Sequence, residues 1–235
     1  MTQAADAKPE PSEMSREASA GAVWQLPPQV CRITGFLGED LAGTLLERAI
    51  AVPGEELAPA RIRNDELETS IRRSRTRHSF GAAELMRVIG SVCERLERTL
   101  GISCRDVEPR YSLNVHNDGD FYRPHQDTGR GAPTGDVEKI LTFVYYLHRT
   151  PAPFTGGALR VYDAAAPVHA GRALTPQDCS YRDWPPEHDS IVFFRPTALH
   201  EVRPVSCPSK SHEDSRFAIN GWLCRRIQDP AEAPR

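Results

Sequence analysis

The most informative segment is Tyr122-Arg123-Pro124-His125-Gln126-Asp127. His125 and Asp127 are two residues apart, and on an extended backbone residues i and i+2 point to the same side. A neutral imidazole and a carboxylate would therefore converge on one point, as two metal ligands must. His200, which follows the apolar run 191–194, is a candidate third ligand. Two histidines and one carboxylate form the facial triad that holds non-haem Fe(II) and leaves coordination positions open.

A short His-x-Asp match is common by chance, so the surrounding pattern matters. Arg216 follows His200 along the chain and begins a β-rich run. Strand alternation places Arg216 on one face with Asn220 and Trp222. A buried guanidinium needs a partner of opposite charge, and a carboxylate can pair with it through two parallel hydrogen bonds. The alternative is an arginine at a strand end that reaches solvent.

Composition indicates an ordinary globular protein. The chain has 235 residues, of which 39% are hydrophobic and 26% charged, with a net charge of -3. This length suffices for a packed core, and the charge does not favour a polyanion binder. No apolar run is long enough to span a membrane. The six cysteines form no Cys-x-x-Cys pair, and the polar N-terminus lacks the apolar part of a secretory signal, so we expect free thiols and a cytoplasmic location.

Hydrophobic periodicity predicts two helices, over about 37–50 and 82–100, with Gly101 as the C-cap of the second. Beyond them, turn residues separate short β-rich runs at 107–117, 139–148, 158–162, 190–194, 200–204 and 216–223. Such a set predicts a sandwich or barrel with two helices in front of it. The segment 163–189 is predicted to be one long loop. Residues 1–24 and 228–235 are expected to be tails.

These motifs resemble the Fe(II)/2-oxoglutarate-dependent dioxygenases, in their prolyl-4-hydroxylase-like branch. The resemblance rests on segments in the family's order, which are 117–127, 141–147, 156–160, 191–194, 200–204 and 216–219. The resemblance runs from about Tyr111 to Trp222. The string of motifs is similar to that of the animal prolyl hydroxylases that modify the hypoxia-inducible factor. It implies an α+β fold, mainly β, with a double-stranded β-helix (jelly-roll) core at 105–227. Two N-terminal supporting helices would belong to a helical/β region at 25–104.

The resemblance also implies roles for individual residues. His125, Asp127 and His200 would bind Fe(II), and Arg216 and Tyr146 would hold the distal carboxylate of 2-oxoglutarate. Further candidates for the co-substrate pocket are Thr142, Val144, Asn114, His116, Asn220 and Trp222. Of these, His116 departs from the tyrosine that many relatives place near the iron.

The implied reaction is hydroxylation of a C–H bond, with 2-oxoglutarate and O2 as co-substrates and succinate and CO2 as products. Asp127 favours hydroxylation, since halogenating relatives lack this carboxylate. Two substrate classes remain open: a prolyl or other residue in a peptide or protein, and a free amino acid or small natural-product metabolite. An open groove beside the site would favour the peptide, and a closed pocket the metabolite. A metal-binding protein without oxygenase activity would leave Arg216 and Tyr146 without a purpose.

A basic cluster lies before the predicted barrel, at 61–77. The candidate substrate residues are Arg72, Arg73, Arg75 and Arg123. The alternative is a solvated face balanced by nearby carboxylates. Family members that repair nucleic acid carry a second arginine six residues after the first, where this chain has Trp222, so nucleic acid is not the expected partner. The oligomeric state is left open.

Overall fold

A computed structural model describes residues 23–26, 30–62, 66–128, 136–167 and 176–227. Within these residues lie two α-helices, α1 (Glu39–Ile50) and α2 (Ala83–Leu100), and 3-10 turns at Gly54–Glu56, Pro176–Asp178 and His212–Asp214. The strands in chain order are β1 (Val23–Leu26), β2 (Val30–Thr34), β3 (Ala58–Pro59), β4 (Arg72–Arg73), β5 (Arg75–Arg77), β6 (Val107–His116), β7 (Phe121–His125), β8 (Val137–Leu147), β9 (Thr155–Gly156), β10 (Leu159–Tyr162), β11 (Ala164–Pro167), β12 (Tyr181–Trp184), β13 (Ser190–Phe194), β14 (His200–Val202), β15 (Val205–Ser206) and β16 (Arg216–Arg226).

The strands form two larger sheets. The seven-stranded sheet has the order β2-β13-β8-β16-β6-β5-β3, and the five-stranded sheet has the order β12-β10-β14-β7-β4. Neighbouring strands in both sheets run antiparallel. Two-stranded pairs, β1 with β11 and β9 with β15, complete the described strands. The fold is therefore mainly β, with few helices.

Apolar side chains divide the molecule into three layers. The helices pack on one face of the seven-stranded sheet through a cluster that includes Leu45, Leu85, Ile89, Phe143 and Phe217. The opposite face of that sheet meets the five-stranded sheet through a smaller cluster, which includes Val144, Tyr146, Leu159, Val161 and Val192. Burial of this apolar surface is the main force that holds the layers together.

The helix ends are fixed by specific groups. The backbone N–H groups of Leu37 and Gly38, just before α1, donate to the two carboxylate oxygens of Asp189 at 2.8 and 2.9 Å. The Tyr145 hydroxyl donates to the same carboxylate at 2.8 Å. A negative charge at this end suits the helix dipole. At the C-terminal end of α2, Gly101 adopts a left-handed φ of 59° and caps the helix.

The structure departs from the sequence-based expectations in four of these segments. The predicted loop at 163–189 is wrong in part, since β11 and β12 lie within it. The predicted strand at 200–204 ends earlier, and β15 follows it as a separate strand. The short strand β7 was not predicted. Strand β1 begins at Val23, inside the expected tail 1–24, whereas the rest of that tail and the tail 228–235 lie outside the described residues. No helix in the described part of the chain is long and apolar enough to cross a membrane.

Candidate metal centre

Strand pairing brings the two histidines of the expected triad together. His125 ends β7, His200 begins β14, and the two are directly opposite in the antiparallel ladder. Asp127 follows two residues after His125, and its backbone N–H donates to Pro196 O at 3.0 Å. Asp127 Oδ1 lies 3.9 Å from Nε2 of each histidine. The three candidate ligand atoms lie within 4.8 Å of one another, so one ion can contact all three.

Each histidine is oriented through its other ring nitrogen. Nδ1 of His125 lies 2.8 Å from Arg123 O, and Nδ1 of His200 lies 2.9 Å from Ala198 O. Because a carbonyl oxygen only accepts, each Nδ1 carries the proton and each Nε2 keeps its lone pair. Such a backbone partner is the usual support of a metal-ligating histidine. The imidazole of His125 also stacks on Tyr122, with ring centroids 3.5 Å apart.

Side chains of β8 and β16 surround the carboxylate of Asp127. Thr142 donates to Oδ2 at 2.7 Å, while Oδ1 is the oxygen nearer the histidines. Lys139 Nζ lies 3.3 Å from Asp127 O and 3.5 Å from the ring centroid of Trp222. Burial opposes ionisation of Asp127, but the two histidines and the hydrogen bonds from Trp222 and Thr142 together outweigh it and lower its pKa. The carboxylate is therefore ionised at neutral pH.

The protonation state of His125 also suits metal binding. Burial lowers its pKa to about 3, and the charge that His200 would carry acts in the same direction. His125 is thus neutral at physiological pH, which is the form that binds a metal. Two imidazoles and one carboxylate on one side of an ion match the facial triad of non-haem iron.

A cavity of about 280 Å³ joins the triad to a buried arginine. Arg216 is only 1% exposed. Its Nε donates to Gly157 O at 2.8 Å, whereas its Nη2 has no hydrogen-bond partner among the described residues. Gly157 has a φ of +67°, and a Cβ on it would lie 2.7 Å from Arg216 Cδ, so the close approach requires glycine. A buried guanidinium with an unpartnered nitrogen calls for an anion from outside the chain.

Two further buried polar atoms near Arg216 also lack partners. His116 Nδ1 lies 3.5 Å from Arg216 Nη1, and its Nε2 has no partner among the described residues. The ring of Tyr146 lies 4.9 Å from Arg216 Cζ, and its hydroxyl has no partner among them either. Burial and the charges of Arg216 and Arg72 hold the pKa of His116 well below its usual range. Since a guanidinium only donates, Nδ1 of the neutral ring accepts and Nε2 carries the proton. The three groups are donors, and a carboxylate could satisfy them.

The cavity walls include most of the other expected site residues. The residues of this set that line it are Asn114, His116, Thr142, Val144, Asn220, Trp222 and Arg72. Arg72 is held by Asn114 Oδ1 at 2.6 Å and by Arg61 O at 3.0 Å, and it lies 4.7 Å from the ring centroid of Tyr122. Tyr146 does not line the cavity. Its ring lies beside Arg216, which does line it.

Three arginines expected to bind substrate do not line this cavity. Arg123 lies over the ring of Phe121 at 4.7 Å. Arg75 Nη2 lies 3.5 Å from His212 Nδ1, and Arg73 Nε lies 3.8 Å from Asp120 Oδ1. Successive side chains of an extended segment point to opposite sides, so a run of arginines cannot all face one site.

Lys139 is a cavity residue that the alternation pattern missed. Counting back from Thr142 in steps of two gives Ile140 on the cavity face rather than Lys139. However, the β8–β16 ladder shifts register between Leu223 and Cys224, so Cys224 pairs with Lys139. Such a bulge reverses the alternation and brings the lysine to the cavity side. The sequence carries no clear signal of the bulge.

Comparison with known proteins agrees with this geometry. Residues 111–224 match the model of the 2OG-Fe(II) oxygenase superfamily. The chain is 35% identical over 121 residues to an uncharacterized PKHD-type hydroxylase from Synechocystis sp., an alignment that covers 52% of this chain and 38% of that protein. The chain thus spans little more than a third of the length of this curated relative. The matched segment is therefore similar to the 2OG-Fe(II) oxygenases, and the resemblance expected from the sequence motifs is confirmed.

Solved structures show the same fold. A Pseudomonas putida prolyl-4-hydroxylase superimposes with a TM-score of 0.60 at 23% identity, covering 85% of this chain and 94% of that one. A prolyl hydroxylase from Trichoplax adhaerens, in complex with a hypoxia-inducible-factor oxygen degradation domain peptide fragment, gives a TM-score of 0.57 at 18% identity, with 83% of each chain covered. At these identities the likeness establishes the fold alone.

Proposed function

We propose that this protein is an Fe(II)- and 2-oxoglutarate-dependent oxygenase that hydroxylates a C–H bond of a prolyl or other residue in a peptide or protein. One observation carries the proposal: a single cavity joins the triad of His125, Asp127 and His200 to the buried, incompletely partnered guanidinium of Arg216. The two packed antiparallel sheets would be the double-stranded β-helix on which this family places its site.

The residues present fit the implied iron. His125 Nε2, His200 Nε2 and Asp127 Oδ1 would hold it, while the backbone carbonyls behind the histidines and Thr142 behind the carboxylate keep the ligands oriented. When bound, the iron and O2 would supply oxidation of an unactivated C–H bond, coupled to conversion of 2-oxoglutarate to succinate and CO2. The chain would contribute ligand geometry and a site sheltered from water.

The residues at the other end of the cavity fit the co-substrate. Arg216 Nη2, Tyr146 Oη and His116 Nε2 are donors without partners among the described residues. A carboxylate accepts several hydrogen bonds, and a guanidinium is its best-matched partner. Arg216 would thus fix the distal carboxylate of 2-oxoglutarate, and Tyr146 and His116 would complete its shell.

The shape of the site supports a peptide rather than a free metabolite. The triad cavity continues into a second cavity of about 520 Å³, with which it shares Arg61, Arg72 and Trp222. A metabolite site is expected to enclose its ligand on all sides. One structural neighbour, the prolyl hydroxylase from Trichoplax adhaerens, is in complex with a peptide fragment.

The test is anaerobic titration of the purified protein with Fe(II) and 2-oxoglutarate. We expect a weak visible metal-to-ligand charge-transfer band that needs both additions and that is lost in His200→Ala. The titration with Fe(II) alone is the control. Iron binding without the band would contradict the co-substrate assignment, and failure to bind iron would contradict the metal centre.

A further inference from the structure

A trough leads away from the metal centre along β6. The second cavity lies over the β6–β5–β3 edge of the seven-stranded sheet, with Arg110, Tyr111 and Ser112 of β6 in its wall. Arg110 pairs with Trp222 across the β6–β16 ladder, and His116 pairs with Arg216 in the same ladder. Six residues of strand separate these two positions, which is about 20 Å. The trough is therefore much longer than the co-substrate.

The lining of the second cavity is positively charged. Its described walls include Arg61, Arg72 and Arg110 and contain no aspartate or glutamate. Arg61 and Arg110 are exposed. The nearest described carboxylate to Arg110 is that of Asp136, at 3.8 Å, and its side chain is 82% exposed. A groove lined by one sign of charge attracts ligands of the opposite sign.

Arg72 supplies a fixed charge where the two cavities meet. Its Nη1, Nη2 and Nε donate to Arg61 O at 3.0 Å, Asn114 Oδ1 at 2.6 Å and Ser74 Oγ at 3.2 Å. These bonds occupy all three nitrogens of the guanidinium, so Arg72 would attract an anionic ligand through its charge rather than through a direct hydrogen bond. Arg61 and Arg110 lie in the wall of the second cavity with exposed side chains, so a carboxylate of a ligand can reach them.

We propose that the second cavity binds an acidic segment of a peptide substrate, with a carboxylate against Arg61 and Arg110, while the residue to be hydroxylated lies beside the metal centre. This inference rests on the proposed function and specifies its substrate class. A peptide, unlike a single amino acid, can occupy both cavities at once. The apolar and aromatic side chains of Ile62 and Trp222 in the wall would pack against the peptide between its charged positions.

The test uses three fluorescently labelled peptides that differ only in their flanks. Each carries a central proline, and the flanking residues are Asp and Glu, Asn and Gln, or Lys. Binding is measured by fluorescence anisotropy without iron or 2-oxoglutarate. We expect the acidic peptide to bind about fivefold or more tightly than the neutral one and the basic peptide to bind more weakly still. Because salt screens exposed charges, the preference should shrink as salt is added.

Charge-neutral variants locate the contact. Arg61→Gln and Arg110→Gln should each weaken acidic-peptide binding about two- to fivefold, as expected for exposed ion pairs, and should affect neutral-peptide binding less. Arg61→Gln retains the backbone carbonyl that holds Arg72. The matched control is Arg98→Gln, which removes the same charge from an exposed position on α2 and should change nothing.

The inference is overturned if no peptide binds, if the neutral and acidic peptides bind equally, or if the two variants behave as Arg98→Gln does. It is also overturned if N-acetylaspartate competes as well as the acidic peptide at equal concentration, since the cavity would then take a free carboxylate. The charge-transfer titration tests the proposed function separately. A band without a preference for the acidic peptide would contradict only the acidic-peptide site. Binding of the acidic peptide without a band would contradict only the oxygenase assignment.

Discussion

The two faces of β16 show two different uses of burial. On one face, Phe217, Ile219 and Leu223 join the apolar cluster under the helices. On the other face, Arg216 and Asn220 line the cavity of the metal centre. Adjacent residues of one strand thus lie in different environments, one a packed apolar cluster and the other a cavity lined by polar groups.

On the helix side, burial of apolar surface stabilises the fold with no further requirement. On the cavity side, Arg216, Tyr146 and His116 each bury a polar atom that has no partner among the described residues. Such atoms cost free energy until a ligand satisfies them. The contrast predicts that substitutions on the helix side reduce stability, whereas substitutions on the cavity side reduce ligand binding and spare the fold.

The largest effect on the cavity side is expected from substitutions in the triad. We expect His125→Ala and Asp127→Ala to lose Fe(II) binding and to lower turnover by more than about 100-fold, because the removed ligand has no substitute among its neighbours. The free energy of unfolding of the metal-free protein should change by less than about 1 kcal/mol, since both side chains face the cavity. Iron titration and urea unfolding measure the two effects. Near-normal turnover in either variant would refute the triad.

The matching substitution on the helix side is Phe143→Ala. Phe143 is fully buried in the cluster under the helices. Removing such a ring costs about 3–5 kcal/mol of unfolding free energy, a large share of the roughly 5–15 kcal/mol that holds a domain folded. Denaturant unfolding measures the loss. Where the variant remains folded, its iron and 2-oxoglutarate affinities should match the parent's, and a change in affinity at full stability would contradict the division between the faces.

Arg216→Met tests the cavity side without opening a hole. Methionine keeps much of the volume but removes a buried charge that has incomplete partners, and such replacements are often neutral or stabilising. We therefore expect the unfolding free energy without co-substrate to stay within about 1 kcal/mol of the parent's or to rise. The 2-oxoglutarate concentration for half-maximal turnover should rise more than about tenfold, since that interaction is charge-assisted. Iron binding should persist. A destabilised variant with unchanged co-substrate dependence would assign Arg216 to the fold instead.

Local patterns in the sequence were enough to place the residues that obey a regular period. Alternation along 216–222 placed Arg216 and Asn220 on one face, and the spacing of His125 and Asp127 indicated a shared metal. Helical periodicity placed α2 to within a residue at its start. These features depend on residues close together in the chain, so sequence alone carries them.

Features set by distant partners could not be predicted in this way. Strand β7 has only five residues and contains Pro124, and it pairs with β14 and β4, which are distant in the sequence. Lys139 reaches the cavity through a bulge in its ladder with β16. The carboxylate that accepts hydrogen bonds at the start of α1 belongs to Asp189, which is distant in the sequence. In each case the deciding contact is long-range, and a single sequence has no local signal for it.

The smallest expected effect concerns the pH dependence of stability. Burial and nearby positive charge lower the pKa of His116 well below its value in the unfolded chain. Below about pH 6.5 the unfolded state therefore binds a proton that the folded state does not, so stability is lost as the pH falls. In metal-free protein, His116→Gln should reduce the loss of unfolding free energy between pH 7 and pH 5 by up to about 2 kcal/mol. His125 shifts in the same direction and stays in the variant, so part of the pH dependence should remain. Urea unfolding at the two pH values measures it, and an equal loss in variant and parent would show that His116 is accessible to protons in the folded state.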